Sequence, residues 1–321
     1  MTASLHLPGI PTQDACEDAA TLLREAGAFR VLTPLVPPRM PLPDELPDAS
    51  LLERRRALIV NTQTTGLEPQ HDELLEVAAL PIEYDARTGR VLATGPTIVQ
   101  RRDLHRELYA DEARRASLTT ADLTGQRIDE RFLHHAGEAS NLVIAFAGAF
   151  HRQFLAPWAP KLAAERPWAC AFRDIPWGER GGYRYQSLPA LLASHAGMYL
   201  PETSHAAQYA LAVLALLVRP FRDGSLPLAH LLEAARGEFV LMPAVGALRT
   251  HNRALRARGY HWHPGSANRE RGWFKVIRAD EVNREKLWLI DHLNNGRVPS
   301  WRGLRPVSAV DRLTPHSLFL G

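Results

Sequence analysis

Asn61 and Gln63 stand one residue apart where the apolar segment Leu58-Ile59-Val60 gives way to the polar turn Thr64-Thr65-Gly66. Alternate residues of a strand project to the same side. The spacing therefore suits two carboxylates gripping one metal ion, but both positions carry neutral amides of the same shape. An amide oxygen is a weak ligand for a hard dication, which prefers anionic oxygen. A second chemically capable group lies nearer the C-terminal end. There Arg253, Arg256, Arg258, Arg269 and Arg271 accompany Tyr260, His261, Trp262, His263 and Trp273. Guanidinium groups pair with phosphates and aromatic rings stack on bases, so the mixture suits single-stranded nucleic acid. Packing of Trp262, Trp273 and Trp288 in a small core is the competing use of the same rings.

Hydrophobic period and turn signals give the elements that must hold these residues. Residues 14–27 read as a short amphipathic helix stopped by Gly27, followed by an extended piece, "FRVLTPLVP", and a Pro-rich arm. Ala57 to Val60 is too apolar to alternate, which predicts a strand buried on both faces. "DELLEVAALPIEYD" and "GRVLATGPTIVQ" read as two more strands of a meander. Beyond Leu104 the pattern turns helical. "NLVIAFAG" and "WACAF" are strands, and helices are expected at "SLPALLASHAG", capped by Ser187, and "SHAAQYALAVLALLVRPF", capped by Ser204. Strands interleaved with helices predict an α/β domain around a mixed central sheet. After a helix near Leu226–Arg236, the order becomes β-α-β-β-α, and the tail beyond it reads as irregular. The expected organisation is an N-terminal helix and arm (1–55), an α/β domain (56–222) and a basic C-terminal domain (223–321).

Composition narrows the function classes. The longest apolar run, near Tyr209 to Val218, is about ten residues, short of the ~18 a membrane span needs, so no membrane partner is expected. "MTASLHLPGI" has neither a basic start nor an apolar core, which argues against a secretory signal. Cys16 and Cys170 are too few for a disulfide framework, and cytoplasmic residence is the default expectation. Residues 241–321 hold 14 Arg/Lys against 6 Asp/Glu, a net of +8, whereas residues 1–240 carry a net of −5. A basic unit on an acidic one suggests a polyanionic partner, most simply nucleic acid.

"LIVNTQTTGLEPQHDELLEVAAL" resembles the first motif of the DnaQ-like, DEDDh-type 3′–5′ exonucleases, which reads D-x-E-T-T-G-L where this chain has "NTQTTGL". "AFAGAFH", Ala145 to His151, resembles the second motif, A-H-N-A-x-F-D, and "SHAAQYA" resembles the third, H-x-A-x-x-D-A. Similarity to one bacterial subgroup extends to "FRVLTPLVP", "CAFRDIPWGERG", "LRARGYHWHPGSANRERGWFKV" and "VDRLT", and so covers nearly the whole chain. The resemblance implies an RNase H-like fold. It also implies a family reaction in which two Mg²⁺ or Mn²⁺ ions, held by four carboxylates, hydrolyse a terminal phosphodiester with a histidine as base.

Carried onto this chain, those positions are Asn61, Gln63, His151, His205 and Ala210. Only the histidine, His205, remains; Phe146 and Ala147 stand at the second motif's His and Asn. The expectation is a pseudo-exonuclease with no metal cofactor that binds nucleic acid, single strands or 3′ ends, or a protein partner. The alternatives are a metal-dependent exonuclease with rearranged ligands and a protein-binding scaffold in a replication, repair or mobile-element complex. Thr64, Thr65 and Gly66 form the turn that in the family lies against the 3′-terminal nucleotide, so residual nucleic-acid contact is expected there. His151 and His205 are a thin basis for a zinc site. Glu76, in "LLEVAAL", fits an anchoring role better than metal duty.

Overall fold

The apolar segment at 57–60 lies inside an eleven-residue strand whose faces are both covered, so its residues are buried without alternation. The computed structural model describes residues 13–27, 29–201, 203–265, 271–294, 296–301 and 304–313. Its first elements are α1 (Gln13–Glu25), β1 (Thr33–Pro34), β2 (Arg54–Thr64), β3 (Leu74–Asp85), β4 (Val91–Thr94) and β5 (Ile98–Arg101). Next come α2 (Ala110–Ala116), α3 (Thr120–Leu123), α4 (Glu130–Glu138), β6 (Leu142–Ala145), α5 (Gly148–Leu155), α6 (Pro160–Glu165) and β7 (Trp168–Cys170). Then follow α7 (Trp177–Gly181), α8 (Leu188–Leu191), β8 (Met198–Tyr199), α9 (Ala206–Val218) and α10 (Pro227–Arg236). The last are β9 (Phe239–Pro243), α11 (Asn252–Ala257), β10 (His261–His263), β11 (Gly272–Arg278), α12 (Val282–Leu293) and β12 (Arg305–Val307).

The main sheet has the order β4-β3-β2-β6-β7, with β5 also on β3. β3 runs antiparallel to β2, whereas β6 and β7 run parallel to it. That order and those directions make the fold RNase H-like. The segment "GRVLATGPTIVQ", expected as one strand, is two. β4 and β5 pair successively along the same edge of β3 and are separated at Gly95-Pro96. Proline cannot donate to a ladder and is tolerated at such an interruption of an edge.

Each face of the sheet has its own core. Ala57, Ile59, Ala78 and Leu80 pack with Ala210, Val213, Leu214 and Leu217 of α9 and with Leu228 and Leu231 of α10. On the other face Leu58, Val60, Val77 and Ala79 pack with Phe154 and Leu155 of α5, Leu162 and Trp168. Full burial of one such Leu or Val contributes roughly 1.5–3 kcal/mol. α9 is apolar around most of its circumference because β2 and β3 lie on one side and α10 covers another. No helix among the described residues is long and apolar enough to cross a membrane.

Of the two expected serine caps, Ser187 takes its position and Ser204 does not. Ser187 sits at the N-cap of α8 without a side-chain cap hydrogen bond. Ser204 donates its hydroxyl to the Pro201 carbonyl, and α9 begins instead at His205, whose N–H donates to Gln208 Oε1 at 2.9 Å. The second sheet has the order β10-β11-β9-β12, all antiparallel. Met242, Leu255, Tyr260, Trp273, Ile277, Leu289 and Leu293 form its core. The tail read as irregular therefore contributes a strand, β12, placed at the sheet edge where Pro306 needs no donor. "FRVLTPLVP" supplies β1, which pairs in parallel with β8.

Candidate functional site

Asn61 and Gln63 occupy the C-terminal end of β2, on the face covered by α9. Asn61 is buried, and its Nδ2 lies 3.4 Å from Nε2 of His151 on α5. The backbone N–H of Thr62 donates to His151 Nδ1 at 3.1 Å, and the Thr62 hydroxyl is 2.8 Å from the same nitrogen. Nδ1 is thus an acceptor, and the neutral ring carries its hydrogen on Nε2, toward Asn61. An amide rotated to present Oδ1 accepts that hydrogen. Burial pushes the imidazole down to about 4, so His151 is neutral near pH 7. The sequence showed no sign of Thr62, whose part comes from backbone geometry.

Beside this contact runs a row across three strands. Gln63 pairs in register with Glu76, and Glu76 with Arg101. Glu76 is fully buried. One carboxylate oxygen accepts from Arg101 Nε at 2.6 Å and the other from the Ala206 N–H at 2.7 Å, in the first turn of α9. The carboxylate therefore fastens helix to sheet. Arg101 Nη1 is 3.9 Å from Asp122 Oδ1, while Asp122 Oδ2 caps α3 through the N–H and hydroxyl of Thr119. His205 precedes α9, and its Nδ1 is buried with no hydrogen-bond partner among the described residues. Ala210 is fully buried in the core.

The turn after β2 is committed to itself. Thr64 Oγ1 donates to the Gly66 carbonyl at 2.6 Å. Thr65 Oγ1 donates to Asp72 Oδ1 at 3.3 Å and accepts from the Glu73 N–H at 2.9 Å. A Cβ on Gly66 would lie 2.3 Å from the Asp72 carboxylate oxygens, so the close approach requires glycine. Both threonines are buried, and Leu67 beyond them is 72% exposed. The turn offers backbone and shape at the surface rather than free hydroxyls.

In the second sheet the candidate residues divide. Arg258 binds Glu285 through two parallel hydrogen bonds, 2.8 and 3.0 Å, with its guanidinium 4.2 Å from the Trp288 ring centre. Tyr260 is buried, and burial raises its hydroxyl pKa well above the usual range. Those two side chains are structural, and Trp273 is buried with them. Trp262 is half exposed, edge-on to Trp273 at 5.7 Å, and the Arg256 guanidinium lies 5.7 Å from the Trp273 ring. Arg253, Arg256 and Arg271 are exposed. Arg269 lies outside the described residues. Arg256 and Trp262 are thus the candidates that share a surface with one aromatic pair.

The donor set at the main site does not fit two dications. Asn61 faces a neutral imidazole, Ala210 offers no ligand, and Glu76 is held by Arg101 and α9. Among the described residues no group of three or more His, Cys, Asp or Glu side chains is arranged to hold a metal ion. Arg101 and Asp122 escaped sequence reasoning because only strand register and the α3 cap bring them to Gln63 and Glu76.

No family model and no curated protein matches the chain. Among solved structures it is similar to exonuclease X in complex with 5′-overhanging duplex DNA, at 17% identity and a TM-score of 0.33, covering 50% of this chain and 89% of that one. It is also similar to E. coli exonuclease I in a zinc-bound complex with single-stranded DNA, at 14% identity and a TM-score of 0.45, covering 75% of this chain and 68% of that one. E. coli exonuclease I bound to a dT13 oligonucleotide gives 13% identity, the same TM-score of 0.45, and coverage of 75% and 70%.

Proposed function

We propose that this protein is a catalytically inactive homologue of the 3′–5′ exonucleases that binds nucleic acid through the groove at Asn61, Gln63 and His205 and through the basic C-terminal unit. The contact between Asn61 and His151 carries the reading. Side chains at two positions that the resemblance assigns to metal ligands face one another at 3.4 Å, and neither bears negative charge. A centre for paired dications is normally offset by several carboxylates; without them, metal affinity falls by roughly several kcal/mol. Clustered carboxylates also repel one another when no cation is present, so their replacement favours a scaffold kept for its shape. The exposed Arg253, Arg256 and Arg271 with Trp262 supply phosphate pairing and a stacking surface that need no metal.

The test is degradation and binding measured on one preparation. Labelled single-stranded DNA with Mg²⁺ or Mn²⁺ should stay intact, while binding should weaken steeply between two salt concentrations. Asn61→Asp combined with Gln63→Glu should leave degradation at background, because His151 and Ala210 still replace two further carboxylates. Nuclease activity in either protein would sink the proposal. Absence of both degradation and binding, with co-purification of another protein, would favour the scaffold instead.

A further inference from the structure

Arg101 is the cation of the row Gln63–Glu76–Arg101. At about 4.8 Å per strand spacing, its Cα lies about 10 Å from that of Gln63, within reach of a long side chain. Glu76 holds the guanidinium through Nε alone. Among the described residues neither Nη group makes a hydrogen bond, and the nearest other anion, Asp122, stands 3.9 Å away with its second oxygen already given to Thr119. The side chain is 28% exposed, whereas Glu76 is 0% exposed. A guanidinium anchored on one edge and open on the other is preorganised for a bidentate bond to phosphate.

We propose that Arg101 binds a backbone phosphate of single-stranded nucleic acid at the place where the resemblance puts metal ions, so that recognition in this groove needs no dication. Glu76 fixes the side chain, and its charge is balanced by Arg101 and the first turn of α9. Gln63 is part of the same device. It sits partly exposed beside Glu76, its side chain makes no hydrogen bond to another described residue, and as a neutral amide it leaves the guanidinium free. A carboxylate there would compete with the phosphate. This inference rests on the reading that the groove accepts nucleic acid.

The experiment measures binding of a fluorescein-labelled dT12 oligonucleotide by the full chain, in Mg²⁺ and in EDTA, across a range of salt. Arg101→Gln alone strands a buried carboxylate, so it is paired with Glu76→Gln, which keeps an acceptor for the Ala206 N–H. Wild-type affinity should be the same in Mg²⁺ and EDTA. The double variant should bind about tenfold more weakly, and its salt slope should fall by about 0.7, the loss of one phosphate contact on a single strand. Gln63→Glu, at a partly exposed position, should weaken binding by a similar factor. Wild-type binding that survives unchanged in the double variant and in Gln63→Glu would overturn the role of Arg101 alone. Binding abolished by EDTA would also overturn it. No binding by the wild-type protein would overturn both this inference and the reading beneath it.

Discussion

His151 shows how a single residue changes the chemistry of its position. Its Nδ1 is filled by Thr62, its Nε2 faces Asn61, and burial holds it near 4. The free imidazole titrates near 6.5, so between the two values the unfolded chain binds more protons than the folded one. Stability from the neutral ring is therefore fully present above about pH 6.5 and is lost as pH falls toward 4, by on the order of 3 kcal/mol. Urea unfolding at pH 7.5 and pH 5 measures the loss. His151→Asn keeps an acceptor for the Thr62 N–H but cannot titrate, and its unfolding free energy should fall less over the same interval. An equal fall in both proteins would mean that other groups carry the acid sensitivity.

At the scale of elements, the turn joining β2 to β3 is set by its glycine. Gly66 lies against the carboxylate of Asp72, which also accepts from the Glu68 N–H at 2.8 Å. Gly66→Ala should destabilise the fold by about 1–3 kcal/mol, the usual range for overpacking. Gly66→Ala with Asp72→Ala should recover part of that loss, read as a partial return of the thermal midpoint. No recovery would place the strain elsewhere. This turn and the strand before it were legible in sequence, since an apolar run and a Thr-Thr-Gly turn are local signals. So was α9, from its long apolar pattern. The row from Gln63 to Arg101 was not, because register brings together residues separated by a bulge at Gln63/Thr64 and an edge broken at Gly95-Pro96. β12 escaped for a similar reason: three residues including a proline become a strand only when an edge is available. Arg258 and Tyr260 look like ligand contacts in sequence; Arg258 is held by Glu285 of α12, 27 residues beyond it, and Tyr260 is buried in the core of the second sheet.

For the whole molecule, the question is how the second sheet is fastened to the main one. One fastening is Arg312, just beyond the second sheet. It donates from Nε to the Trp168 carbonyl at 3.2 Å and from Nη1 to Asp174 Oδ1 at 3.0 Å, with Nη2 on the other carboxylate oxygen. Its guanidinium lies 4.8 Å from the ring centre of Phe239 in β9, so one side chain touches both sheets' surroundings. Leu313 follows into the core beside α5, and Arg152 Nη1 donates to the Val310 carbonyl. Both Arg312 and Asp174 are nearly buried, with side chains 3% and 9% exposed. Removing one member of such a pair leaves an uncompensated charge and costs about 3–5 kcal/mol. Arg312→Met should lower the unfolding free energy by that order, and Asp174→Asn in the same protein should restore part of it. The cycle completed with the single Asp174→Asn variant gives the coupling directly. A coupling near zero would mean that Leu313 and the Arg152–Val310 bond hold the segment without help from the ion pair.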